Sequence, residues 1–256
     1  MSTQATQRHP WWWIPTLYFA EGLPYMAVMT ISTVMYKCLG IGNTEIAFYT
    51  AWLYLPWVIK PFWSPFVDII RSKRWWVLAM QWAIAIAMAS IAFALPASGF
   101  FQATLALFWL MAFASATHDI AADGFYMLAL TEHQQSLFVG IRSLFYRISM
   151  VVGQGVLVVV AAFVSDAWAQ PKAGWIVVFG ILAAFFALVA SYHSFALPRP
   201  AADAMRSPRS RGEVLREFTE TFVAFFRKPQ VGVALTFMLL YRLPEAQLVK
   251  MITPFM

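Results

Sequence analysis

Apolar positions along this chain come in unbroken runs, far longer than the alternation of a strand or the stripe of a surface helix. Six runs are complete, over residues 11–36, 44–67, 75–95, 101–130, 137–165 and 173–197, and a seventh starts near Val231 and is still running at Met256. A helix of about 20 apolar residues crosses roughly 30 Å of hydrocarbon. The pattern predicts an all-α membrane protein, a bundle of six complete transmembrane helices plus part of a seventh. The longest polar interruption, 198–228, divides in two. Residues 198–211 are rich in Pro, Ala, Ser and Arg and read as a flexible basic linker. Residues 213–227 place Leu215, Phe218, Phe222 and Phe226 on one helical face and Glu213, Arg216, Glu217 and Glu220 on the other, the pattern of an amphipathic helix lying on a membrane surface. The organisation expected is a six-helix unit over 1–197, a cytoplasmic loop with an amphipathic helix over 198–228, and the start of a second helical unit over 229–256.

Composition agrees. Hydrophobic residues make up 61% of the chain and charged residues 12%, against the usual ~45–50% and ~25%. The formal charge is +6, but the cations sit in short loops between apolar runs, which argues for membrane topology and against nucleic acid as a partner. Arg8, Arg71, Lys73, Arg74 and the run from Arg199 to Lys228 fall on one side, while only Lys37 and Lys172 fall on the other. By the positive-inside rule this puts the N-terminus, 68–74, 131–136 and 198–228 in the cytoplasm. Trp11, Trp12, Trp13, Trp75, Trp76 and Trp175 lie at the expected interfaces, where amphipathic rings suit the headgroup layer. The single cysteine, Cys38, excludes internal disulfides and multi-cysteine metal sites. No cleavable signal peptide is evident, and no residue pattern points to a cofactor or metal.

Ionisable residues inside spans are costly and face a cavity or one another. Glu21 lies about ten residues into the first span, roughly 15 Å deep, with Gly22 and Pro24 weakening the helix beside it. A broken helix at that depth lines water or is buried in protein, so Glu21, with Tyr18, is a candidate for a substrate or proton site or for a hydrogen-bonded buried carboxyl. The fourth span carries His118-Asp119 and Asp123. Asp119 and Asp123 share one helix face, which suits proton coupling and equally suits pairing with Arg142 or Arg147 of the fifth span. Asp68 ends the second span beside Arg71, Lys73 and Arg74, a gating or stabilising charge cluster. Lys60, earlier in that span, can snorkel. The seventh span carries Tyr241, Arg242, Pro244 and Glu245, echoing the Tyr, Glu and Pro of the first, as parallel repeats of six-helix halves would. Arg242 would bind an anionic substrate group or neutralise Glu245 or Glu21. Ser149, Gly153 and Gly155 of the fifth span allow close helix packing.

Four of these segments together resemble the AmpG-like muropeptide permeases and acetyl-coenzyme A transporters of the major facilitator superfamily. They are Tyr18-Phe19-Ala20-Glu21-Gly22-Leu23-Pro24, Phe62-Trp63-Ser64-Pro65-Phe66-Val67-Asp68, Ser115-Ala116-Thr117-His118-Asp119-Ile120-Ala121-Ala122-Asp123 and Tyr241-Arg242-Leu243-Pro244-Glu245. The superfamily's general loop pattern after the second span is partly kept: Asp68 and the basic residues match, while Ser64 stands for a glycine. His118 stands where some relatives have Gln. The resemblance implies 12 or more helices, with the first, fourth and seventh lining a central cavity. It also implies proton-coupled alternating access in a bacterial inner membrane, and a small polar solute such as a muropeptide or a coenzyme A ester. The chain would then be the N-terminal half of such a transporter, cut inside its seventh helix, its C-terminal half missing. Two other classes compete. A non-transporting membrane scaffold or sensor, or an inactive truncated fragment, suits a half-length chain. An intramembrane enzyme built on His118 and Asp119 lacks any nucleophile elbow or His-Glu-x-x-His partner, so no catalytic residues are expected.

Overall fold

The computed structural model describes residues 8–203, 211–234, 236, 237 and 240. Among these residues every element is a helix. The chain divides into two compact units, Met1–Arg206 and Ser207–Met256.

In the first unit, α1 (Ile14–Met26), a π turn (Ala27–Ile31) and α2 (Ser32–Cys38) run on as one broken helix. Pro24 explains the break: it lacks an N–H for the ladder, and the i→i+5 turn follows directly after it. The second apolar run is more fragmented, into α3 (Asn43–Ala51), α4 (Leu55–Val58) and α5 (Lys60–Ile70), with Pro56, Pro61 and Pro65 inside or opening the last two. Four stretches are long and apolar enough to cross a membrane: α6 (Lys73–Ala94), α7 (Phe100–Ala129), Glu132–Ala167 and α10 (Ala173–Ala196). The third of these is α8 (Glu132–Val151) joined to α9 (Leu157–Ala167) through a second π turn, Val152–Val156. The expected third to sixth spans thus coincide with long helices. The expected first two are built of shorter helical pieces, because proline interrupts both.

Local signals set the ends. Ser72 caps α6, its side chain accepting from Trp75 N. Thr131 and Gln134 form a reciprocal capping box that starts α8. The helices approach closely where glycine allows. A Cβ on Gly22 of α1 would run into Ser149 Oγ of α8, one on Gly153 would come within 2.8 Å of Met26 Cβ, and one on Gly174 of α10 would strike the Ala161 carbonyl of α9. Ser149 and Gly153 therefore serve the packing expected of them, whereas Gly155 has open space around it.

The core has two parts. The larger runs along α1, α2, α6, α7 and α10, from Ala20 and Ile31 through Ile84, Met88 and Phe108 to Phe179 and Phe186. The smaller joins Trp13, Val67, Val77, Phe125, Leu130, Phe138 and Leu197. Each of these residues borders or approaches a polar loop, so the N-terminus, the 71–72 turn, the 130–131 turn and residue 197 gather at one end of the bundle. Trp13 and Trp175 are buried in the protein, at 0% and 3% exposure, rather than facing the interface as expected; Trp11 and Trp12 are exposed. Large apolar side chains cover the outside: Phe93 is 84% exposed, and Phe163, Leu188 and Phe195 are similarly open. A bilayer solvates such a surface, and water does not.

In the second unit, α11 (Arg211–Phe226) is helical where an amphipathic helix is expected. Val223 and Phe226 are exposed, and Arg216 pairs with Glu220 one turn on. The side chains of Leu215, Glu217 and Phe222 lie outside the described residues. So do Tyr241, Arg242 and Glu245, and with them the expected echo of the first span.

Candidate functional site

The charged residues of the apolar helices converge on one face formed by α1, α5, α7 and α8. Asp119 of α7 accepts from Lys60 Nζ at 2.6 Å and from Trp57 Nε1 at 3.1 Å. Their side chains are largely shielded, Lys60 at 26% and Asp119 at 14% exposure. One turn further along α7, Asp123 takes Arg142 of α8 at 2.8 Å and the Tyr18 hydroxyl of α1 at 3.3 Å. The Arg142 guanidinium also lies 4.6 Å from the Tyr18 ring centroid and 5.1 Å from that of Tyr126, so a cation sits between two π faces beside its carboxylate. Of the two candidate arginine partners, Arg142 takes Asp123, and Arg147 pairs with neither aspartate.

Glu21 completes the group. It is 7% exposed, and its Oε2 is buried with no hydrogen-bond partner among the described residues. Asp119, Asp123, Arg142 and Lys60 all lie within electrostatic range of it. Three carboxyl groups thus share two cations; Asp119 and Asp123 each hold one, and Glu21 is left over. Gly22 brings α1 onto α8 at this level, because only a residue without a Cβ fits against Ser149. Aromatic rings border the Lys60–Asp119 pair: Trp57 meets Tyr25 edge-on at 5.2 Å and stacks with Tyr54 at 6.4 Å.

The remaining residues of the expected charge cluster form a separate group. Asp68 pairs with Lys73, whose stem crosses Gly124 so closely that a Cβ there would come within 2.6 Å of Lys73 Cε. Arg71 lies over Trp75 at 5.7 Å. Arg74 donates to the Ser194 carbonyl at 2.5 Å. Asp203, just past the sixth expected span, folds back so that its carboxylate accepts from the Lys73 and Arg74 amides at 2.6 and 2.9 Å, occupying the N-terminus of α6.

His118 points elsewhere. Adjacent residues on a helix diverge by about 100°, and while Asp119 faces α5, His118 is wholly buried against α6. There its Nε2 meets Gln81 Nε2 at 3.1 Å, Gln81 Oε1 meets His193 Nδ1 at 3.0 Å, and His193 Nε2 meets Thr16 Oγ1 at 2.9 Å. The structure therefore brings Glu21, Tyr18, Asp119, Asp123 and Arg142 together and sets His118, Asp68, Arg71, Lys73 and Arg74 apart from them. Sequence reasoning gave too little weight to Lys60 and passed over Trp57, Gln81, His193 and Asp203. Gln81 and His193 did carry a signal, as polar residues inside apolar runs. Asp203 carried none, since a loop aspartate is ordinary.

The sequence model of the Major Facilitator Superfamily matches residues 16–254. The anhydromuropeptide permeases of Escherichia coli strain K12 and of Escherichia coli O157:H7 are each 26% identical to the chain over 253 residues, covering 94% of the chain and 47% of the relative. The chain spans about half the length of the curated relatives it matches. Long apolar helices together with this match make it a multi-pass membrane protein of a transporter family. The chain belongs to the Major Facilitator Superfamily.

Proposed function

We propose that this chain forms the N-terminal half of a proton-coupled secondary transporter that takes up a small polar solute, of muropeptide or related anionic character, by alternating access. One observation carries this reading: three carboxyl groups share two cations on a face built from α1, α5, α7 and α8. Such a face is costly in a bilayer, and it is suited to exchanging a proton for a solute charge. Glu21 and Asp119 are the proton-carrying groups, with Tyr18 in the pathway. A proton arriving at Asp119 neutralises the carboxylate and releases Lys60, which then meets an anionic group of the solute beside Trp57 and Tyr54. Loss of the proton to the other side restores the Lys60–Asp119 pair and expels the solute.

In this reading six spans are complete and the segment after residue 228 begins a seventh. The N-terminus and the loops at the end capped by Asp203 are cytoplasmic, in a bacterial inner membrane. Residues 1–197 act as one half, and 198–228 tie it to the next through a surface-bound helix. Tyr241, Arg242 and Glu245, which lie outside the described residues, are assigned to the same substrate and proton pathway on their sequence alone. Asp68, Arg71, Lys73 and Arg74 gate the cytoplasmic end, and Asp123, Arg142 and Arg147 join that gating role from the separate face of α7 and α8. The name of the relatives supports a muropeptide as the first solute to try.

The test is uptake of tritiated anhydromuropeptide by proteoliposomes, with and without an imposed proton gradient. The expected result is gradient-stimulated uptake that Glu21→Gln and Asp119→Asn each remove. Uptake no greater than in protein-free liposomes sinks the reading for this chain.

A further inference from the structure

Three helices meet at one buried side chain that the proposed transport cycle does not use, and a fourth is joined through it. Gln81 of α6 is fully buried, as are His118 of α7 and His193 of α10, and its amide holds both rings at 3.1 and 3.0 Å. The line continues through Thr16 of α1 to the Trp13 carbonyl, which accepts from the Thr16 hydroxyl at 3.2 Å. An amide only donates at its nitrogen and only accepts at its oxygen, and one ring sits at each end, so Gln81 fixes opposite polarities on the two imidazoles. With a ring at each end it cannot accept from both rings or donate to both. Turning the amide over reverses both bonds together and keeps them.

The seam fixes the azimuth of α7. His118 and Asp119 are neighbours on one helix, so a rotation that pulls His118 from Gln81 also turns Asp119 away from Lys60 and Trp57. Membrane helices gain no hydrophobic drive from meeting one another, so close packing and interhelical hydrogen bonds together set their register. His118 Nδ1 and Ser115 Oγ, one turn back on α7, are buried with no partner among the described residues. Among the described residues, the His118–Gln81 contact is thus the side-chain hydrogen bond from this surface of α7 to α6.

We infer that Gln81 is a positioning residue, which through His118 holds Asp119 in register with Lys60. Its part in transport rests on the function proposed above; the pairing it maintains does not, and it can be read without solute. The experiment is lysine acylation by an N-hydroxysuccinimide ester in detergent, resolved site by site by mass spectrometry. An ion-paired amine reacts slowly, and Asp119→Asn gives the reactivity of unpaired Lys60. Gln81→Leu should raise Lys60 labelling on the order of threefold, the factor one average interhelical hydrogen bond supplies, with Lys37 and Lys172 unchanged. Thr16→Val, at the far end of the seam, should raise it less. Lys60 labelling at the unsubstituted level in Gln81→Leu overturns the inference. A uniform rise at Lys37 and Lys172 also overturns it, since that marks loosening of the whole bundle. If Gln81→Leu does not give a monodisperse protein, Gln81→Asn is read by the same criteria.

Discussion

Two polar regions start from neighbouring residues of α7 and differ in almost every physical respect. Asp119 opens onto a partly accessible face where ions pair across α1, α5, α7 and α8. His118 closes onto a sealed seam where Thr16, His193 and Gln81 join by hydrogen bonds without a carboxylate among them. The face holds three carboxyl groups and two cations, and in the cycle proposed above its arrangement changes when a proton or a solute charge arrives. The seam carries no ion pair; its hydrogen bonds link α6, α7, α10 and α1 in one line that ends at His118 Nδ1, which has no partner among the described residues. In that cycle one turn of helix supplies both the part that responds and the part that stays still. A carrier needs that pairing, because a charge site works only if its frame does not yield with it.

The contrast can be broken first at its charged side. Lys60→Met leaves Asp119 shielded without a cation and should cost about 3 kcal/mol, the penalty typical of breaking a shielded pair. Thermal unfolding in detergent measures it. Asp119→Leu added to Lys60→Met should recover most of the loss; a double variant as unstable as the single shows that the ion pair is not the cause. A wedge tests the same face without touching a charge. Gly22→Ala drives a methyl into Ser149 Oγ and should cost about 1–3 kcal/mol by overpacking, with Ser149→Gly restoring part of it. If Gly22→Ala is neutral in the same melt, the close approach of α1 to α8 is not what holds Glu21 in place.

The seam should lose less. Interhelical hydrogen bonds average ~0.6 kcal/mol in membranes, so Gln81→Leu, which removes two, should lower stability by about 1–2 kcal/mol. A loss as large as that of Lys60→Met would erase the distinction between the two regions. At the bottom of the scale stands the surface pair of α11. Arg216 and Glu220 are 80% and 64% exposed, and Arg216→Ala should change the melt by less than ~0.5 kcal/mol.

Much of the charged face is legible in the sequence. Glu21, Asp119 and Asp123 stand out because ionisable residues are rare in apolar runs, and Arg142 is one of two cations that open the next span. Lys60 is harder to place. A lysine near a span end has a long stem that reaches water in one fold and a carboxylate in another, and spacing alone does not say which. The second span illustrates the same limit for the backbone. Its hydropathy reads as one helix, yet Pro56, Pro61 and Pro65 divide it into pieces, because apolar character and helical continuity are separate properties.

By itself the sequence determined the solvent and the scale of the fold. Runs of apolar residues of bilayer length admit little else, since an unpaired backbone in hydrocarbon costs several kcal/mol per group. It also determined which helices carry charge. Tertiary structure alone decided the partners. Asp119 met Lys60, Asp123 met Arg142, His118 met Gln81, and Asp203 met the N-terminus of α6 across 129 residues of chain. The reason is geometric: a helix fixes the angle between neighbouring side chains, but which helix stands at that angle depends on how glycine contacts such as Gly22 on Ser149 let the bundle close.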